Sequence, residues 1–193
     1  MSTISFIVPT IGRPSLQATV TSVERWVGDE LLVIKHDPPG GNWGNAERQH
    51  GQDIAKCDYL AFIDDDDVYV PGHRKMMADA IRECPSMPIV FRIQYPNGQK
   101  LWQPSNFAGR PPQIKNGNVS SQMFLFPNDK SMLAKWHQMP TWRGRASDFY
   151  FISSTGWGNR SGFVWRDEVT VLMGHDDPYI FVNNRGRMRE GVV

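Results

Sequence analysis

Residues 59–77 read YLAFIDDDDVYVPGHRKMM. The apolar stretch Tyr59–Ile63 has the length and pattern of a strand buried on both faces. Asp64, Asp65, Asp66 and Asp67 follow without a break, and Pro71 then opens a helix whose buried side is marked by Met76, Met77, Ala80, Ile81 and Cys84. Four adjacent carboxylates repel one another, so their place at the end of a buried strand demands compensation. Two acids could form a solvated turn or a helix cap. Four together point to a divalent cation.

The flanking chain supplies a frame for that strand. Ile4–Val8 is a short apolar run closed by Pro9, and Pro14 suits the first turn of a helix with Leu16, Val20, Val23 and Val27 on one face. Glu30–Lys35 reads as a second strand that ends in the breaker-rich HDPPGGNWG. Asn45 can cap a helix running through Cys57, which Gly51 weakens. The first 84 residues thus alternate strand and helix three times, the pattern of a parallel sheet with helices on both faces. Ligands of such sheets lie beyond the carboxyl ends of the strands. The aspartate run, Pro9–Arg13 and His36–Gly41 all fall at such ends.

Beyond residue 84 the pattern changes. PIVFRIQYPNGQKLWQ predicts a hairpin turning at Asn97-Gly98, and PSNFAGRPPQIKNGN is a long irregular segment. VSSQMFLFP predicts another strand, followed by a short helix over Pro127–Trp136. A further helix is expected to begin near Ser147 and Asp148, with one or two closing strands in GFVWRDEVTVLMG.

A chain of 193 residues accommodates one domain with a substantial core. Its net charge of +1 shows no global preference for nucleic acid or anionic membrane. The 2 cysteines, Cys57 and Cys84, form no CxxC, which argues against a zinc-thiolate site or a disulfide scaffold. MSTISFIVPTIGRP lacks the features of a signal peptide, and no apolar run approaches the roughly 20 residues of a membrane span. A cytoplasmic location is expected. The aspartate run is not an EF-hand, because Val68 and Tyr69 stand where that loop needs an oxygen ligand and glycine. A Walker A loop and a GxGxxG loop are both missing. Mg²⁺ or Mn²⁺ held by one or two carboxylates together with substrate phosphates fits what remains, and such a site suits a nucleoside diphosphate leaving group.

At these residues the chain resembles a known family. ISFIVPTIGRP is similar to the opening of family 2 glycosyltransferases of the GT-A fold, and AERQHGQDIAKCDYLAFIDDDDVYVP resembles the family segment that carries the DxD motif. Arg48, Gly51, Tyr59, Asp64, Asp66, Asp67 and Pro71 fall in register. The resemblance implies an α/β fold: a single GT-A, Rossmann-like domain over 1–193, its mostly parallel central sheet flanked by helices. It divides into a nucleotide-sugar-binding half at about 1–95, a smaller mixed acceptor-side half at about 96–175, and a tail at 176–193. It further implies a metal-dependent transferase that moves a hexose or pentose from a UDP- or GDP-linked donor to an acceptor hydroxyl, with inversion. The acceptor could be a small molecule, a glycan or modified nucleic acid. Pro9, Thr10 and Arg13 would line the nucleotide pocket, Asp37 would accept the base N–H, and Arg48 would reach the base or diphosphate. Asp64 and Asp65 would lie beside the ribose and metal, Asp66 would ligate Mn²⁺ or Mg²⁺, and Asp67 would shape the turn.

The second half matches through fewer residues. Asp148 in RGRASDFYFI falls where the family carries its base, with a helix N-cap as the alternative role. His175 resembles the histidine that contacts the metal or diphosphate. Trp102, Phe107, Trp142 and Trp157 are candidates for the acceptor surface; Trp43, Trp102, Trp142 and Trp157 sit in Gly- and Pro-rich stretches, where loop aromatics either stack on flat or sugar-like ligands or pack on their own scaffold. The chain departs from the family at His36-Asp37-Pro38-Pro39, where Asp-Asp-Gly-Ser is usual, and at Gln49 and Asp53. Rival readings are a nucleotide-sugar hydrolase, a nucleotidyltransferase on a related scaffold, and a nucleotide-binding module without catalysis.

Overall fold

The three apolar runs of the first half lie side by side at one end of a single sheet. In a computed structural model, which describes residues 1–38, 42–102, 112–139, 146–158 and 162–174, β1 (Ile4–Pro9) and β3 (Tyr59–Phe62) are buried at every position. β2 (Glu30–Ile34) flanks β1 on the other side, and both pairings of β1 are parallel. The connecting helices are α1 (Leu16–Ser22) and α2 (Asn45–Ile54). The αβ alternation predicted from sequence is present, with shorter helices. α1 stops before Val23, which is buried in extended backbone, and Val27 lies outside the helix, fully exposed. Asn45 is the first residue of α2 rather than its cap; Gly44 takes the capping position with φ 79°, a conformation suited to glycine.

Gly51 has a reason to interrupt α2. A Cβ at that position would lie 2.4 Å from Ile7 Cγ2. The helix loses propensity there and in return seats directly on β1.

The second half enters the same sheet from the far side. β7 (Phe124–Pro127) pairs antiparallel with β3 and with β5 (Ile89–Gln94). The predicted hairpin joins β5 to β6 (Lys100–Leu101), turning at Gly98 with φ 80°. β8 (Val164–Leu172) runs parallel to β5, and β4 (Val68–Tyr69) closes the far edge against β8. The order is β2-β1-β3-β7-β5-β8-β4, so the sheet is mixed, with parallel pairs on both sides of β1 and between β5 and β8. Pro127–Trp136 is not a helix. Pro127 ends β7, Asp129 Oδ1 then accepts from Ser131 N at 2.9 Å and Ser131 Oγ at 2.6 Å, and a single 3-10 turn forms at Trp136–Gln138. The aspartate carboxylate competes for backbone donors that a helix would need.

Strand order also fixes the shape. β3 and β4 are separated by three intervening strands, a path of roughly 19 Å across a flat sheet. Only Ile63–Asp67 connects them, and that segment turns tightly, with Asp67 N donating to Asp64 O at 3.2 Å. The sheet therefore curls until β4 returns beside α1. Tyr69 N donates to Ser22 Oγ at 3.0 Å, and Thr19 Oγ1 donates to Asp67 O at 2.7 Å.

α3 (His73–Glu83) follows β4, and α4 (Ser147–Ser154) packs on the opposite part of the core. In α4, Phe151 stacks on Trp136 at a centroid distance of 3.8 Å. Away from the carboxyl ends of the strands, Arg74 of α3 donates to both oxygens of Asp29 at 2.6 and 3.0 Å, and its guanidinium lies over Trp26. This buried pair ties α3 to the turn before β2.

Candidate active site

The aspartate run does not splay into solvent; its members turn in different directions. Asp64, Asp66 and Asp67 each offer one carboxylate oxygen to a group spanning no more than 4.8 Å. Asp65 points elsewhere: Oδ2 accepts from Thr10 Oγ1 at 2.6 Å, and Oδ1 lies 3.5 Å from the Arg13 guanidinium. Thr10 Oγ1 in turn accepts from Gly12 N at 2.8 Å, so the loop after β1 is folded onto Asp65. That loop delivers Arg13, which also ion-pairs with Asp66. Gly12, at φ 91°, makes the turn possible.

Asp67 is the most enclosed of the four. Its Oδ1 accepts from Gly174 N at 2.7 Å, and its Oδ2 accepts from Gln122 Nε2 at 3.0 Å. Burial, and after it the neighbouring Asp64 charge, pushes its carboxyl well above the ordinary range. Asp67 also shapes the turn through its backbone, but its side chain belongs to the carboxylate cluster. Burial raises Asp66 as well; Arg13 opposes that rise, while Asp64 and Asp65 add to it.

Arg48 reaches the cluster from α2. One guanidinium nitrogen pairs with Asp64, another donates to Trp43 O at 2.6 Å, and the ring of Trp136 lies 5.3 Å away. Two guanidiniums and one amide therefore share the charge of the run. Gln49 and Asp53 have structural employment: Gln49 Oε1 accepts from Trp136 N at 2.7 Å while its amide nitrogen donates to Asp53 at 2.8 Å.

Asp148 arrives from the other half. It lies in the first turn of α4 yet makes no cap for that helix. Its Oδ2 instead accepts from Ser121 N and from Ser120 Oγ, both at 3.0 Å. Ser120 Oγ also contacts Gln122 Oε1, and Gln122 Nε2 donates to Asp64 Oδ2 at 2.6 Å. A continuous chain of polar contacts thus joins Asp148 to Asp64 and Asp67. Burial raises the Asp148 carboxyl; Arg48 works against that rise and Asp64 with it. Tyr95, past the end of β5, feels the same surroundings: its phenol is raised by burial, then by Asp67 and Asp148.

The structure brings together Thr10, Arg13, Arg48, Asp64, Asp65, Asp66 and, through Ser120 and Gln122, Asp148. Pro9 ends β1, with its ring against the Gly44 turn. Asp37 is exposed beyond the end of β2. His175 lies outside the described residues, as do Phe107 and Trp142. Trp102 and Trp157 are core rather than surface: Trp102 packs edge-on against Trp165 beneath the Arg92 guanidinium, and Trp157 packs on Phe126. Ser120, Gln122 and Tyr95 carry no motif and were invisible to spacing. The polar run Ser120-Ser121-Gln122 just ahead of an apolar strand was the nearest signal.

Three carboxylates with hard oxygen donors, two of them with raised proton affinity, fit a divalent cation such as Mg²⁺ or Mn²⁺. Asp64, Asp66 and Asp67 would hold it.

Comparison with known proteins bears on the same segment. The family model described as glycosyl transferase family 2 matches residues 28–140. No curated protein matches the sequence. Among solved structures, S. aureus TarS 1–349 superposes with a TM-score of 0.59 at 14% identity, over 90% of this chain and 60% of that one. TarS 1–349 in complex with UDP-GlcNAc gives 0.64 at 14% identity, over 89% of this chain and 58% of that one. The chain thus spans 60% or less of the length of these structures, and at such identities the likeness is one of fold. Among the described residues no helix is long and apolar enough to cross a membrane.

Proposed function

The chain belongs to glycosyl transferase family 2, and from that premise we propose that it transfers a sugar from a nucleotide-sugar donor to an acceptor hydroxyl, with inversion and with Mn²⁺ or Mg²⁺ as cofactor. The observation that carries this reading is one juxtaposition. Asp64, Asp66 and Asp67 gather at the end of β3, and Asp148, from the other half of the fold, is wired to the same turn through Ser120 and Gln122.

When bound, a divalent cation supplies charge neutralisation at the departing diphosphate. Arg13 and Arg48 add fixed positive charge on the donor side of the cluster. Thr10 and Asp65 hold the β1 loop in place beneath the donor. Asp37 accepts from the base edge. Asp148 accepts the proton of the attacking hydroxyl. Its pKa, raised by burial, makes it a stronger base than an ordinary carboxylate, which would take that proton less well. Attack and departure on opposite faces of the anomeric carbon then give inversion.

The test is a calorimetric titration with UDP and GDP in Mn²⁺ and in EDTA, paired with nucleotide release from their hexose conjugates. Asp66→Ala is expected to abolish the metal-dependent part of binding. Unchanged affinity in that variant sinks the metal assignment. Release of free sugar with no product on any acceptor marks a hydrolase instead.

A further inference from the structure

The turn entering α2 holds a residue from which the folded chain gains little. Trp43 has φ 60° and ψ 33°, the left-handed region in which a Cβ crowds the neighbouring carbonyl and glycine is least strained. The indole does not compensate by burial, being 67% exposed. An exposed ring contributes little of the apolar burial that stabilises a fold. The fold itself thus offers little reason for a tryptophan at this position, and the exposed ring is available to a ligand.

Placement indicates what that is. The Arg48 guanidinium that donates to Trp43 O at 2.6 Å also pairs with Asp64. The next residue, Gly44, sits so close to the end of β1 that a Cβ on it would lie 3.3 Å from Pro9 Cβ. The Trp43 turn therefore lies beside the end of β1, its carbonyl one guanidinium away from Asp64. A ligand that fits this place presents an anionic group toward Arg13, Arg48 and the cation site, and a flat face toward the indole. A nucleoside diphosphate has both.

We propose that Trp43 is the stacking platform for the donor nucleobase, held in its left-handed turn by Arg48. The inference rests on the nucleotide-sugar reading above and adds to it a binding residue from outside the matched motif. Stacking uses the π face that every base possesses, so Trp43 raises affinity for a base without choosing among bases.

Glycine at this position removes the ring and relieves the backbone together, and the two effects are read apart in the UDP affinity and the melting temperature. Wild type, Trp43→Gly and Trp43→Phe are titrated calorimetrically with UDP and with inorganic pyrophosphate, both in Mn²⁺. Trp43→Gly is expected to melt at a higher temperature, to bind UDP about tenfold more weakly, as loss of one aromatic–base stack implies, and to bind pyrophosphate as wild type does. Trp43→Phe is expected to keep most of the UDP affinity. UDP affinity of Trp43→Gly within about twofold of wild type overturns the proposal, as does an equal loss for UDP and pyrophosphate, which would place the effect in Arg48 and the carboxylates. A wild-type protein that binds neither ligand overturns the nucleotide-sugar reading itself, and the platform with it.

Discussion

Gln122 Nε2 lies 2.6 Å from Asp64 Oδ2, and its other hydrogen reaches Asp67 Oδ2 at 3.0 Å. One neutral amide thereby spends both its hydrogens on two carboxylates that would otherwise face each other unscreened. Gln122→Glu replaces the donor by a third carboxylate. Without metal the variant is expected to lose about 2 kcal/mol or more at pH 7.5. The new carboxyl has a folded pKa above its unfolded one, so much of the loss is recovered as the pH is lowered toward about 4.5. Urea unfolding at the two pH values checks this; equal losses at both contradict it.

The wild-type protein should show the same sign. Asp66, Asp67 and Asp148 all have carboxyls raised chiefly by burial. Each binds its proton more tightly folded than unfolded, where a carboxyl titrates near pH 4. The stability this contributes is fully present below the unfolded pKa and is lost as pH rises through the folded pKa. In EDTA the melting temperature is expected to fall between about pH 4.5 and 7.5, and Mn²⁺ at the upper end should restore it by occupying the carboxylates. Asp29, whose carboxyl is lowered by the Arg74 hydrogen bond despite burial, works in the opposite sense and only in the more acidic range. A melting temperature in EDTA that is flat or rising over that interval would refute the linkage.

Asp148→Asn keeps an oxygen for Ser121 N while removing the basic carboxylate. Donor affinity is expected to stay within about twofold and transfer to fall about 100-fold or more, the usual weight of a general base. Calorimetry with UDP beside an initial-rate assay separates the two. Transfer near the wild-type rate would remove Asp148 from the base role.

Gly51→Ala improves helix propensity in α2 by about 1 kcal/mol, yet puts a methyl 2.4 Å from Ile7 Cγ2. Overpacking is expected to win, with a net loss of about 1–3 kcal/mol by urea unfolding. Ile7→Ala removes the opposing methyl, so the double variant should be less destabilised than the two single changes add up to. Strict additivity would mean that the helix has shifted away from β1.

The parallel β1 and β3 were legible because both are short, largely apolar runs, a pattern that fits burial on both faces. The aspartate run was legible as a site because like charges in sequence demand a remedy. Its internal division was not: which carboxylate turns toward Thr10 and which toward Gln122 depends on the tight turn at Asp64–Asp67 and on loops far away in the chain. Gln122 and Ser120 escaped notice because their importance comes from β7 inserting antiparallel between β3 and β5, a long-range pairing with no local signature. Trp102 and Trp157 look like loop aromatics in Gly- and Pro-rich surroundings, yet neighbouring rings bury both.

The curl of the sheet gives the aspartate turn a second duty. Because Ile63–Asp67 alone joins β3 to β4 across three intervening strands, it acts as a short chord that holds a long arc bent. The far edge strand β4, its neighbour β8 and Gly174 beyond β8 meet at this turn, since Gly174 N is bonded to Asp67 itself. The turn that gathers the charge is therefore also the turn that brings the two ends of the strand path together.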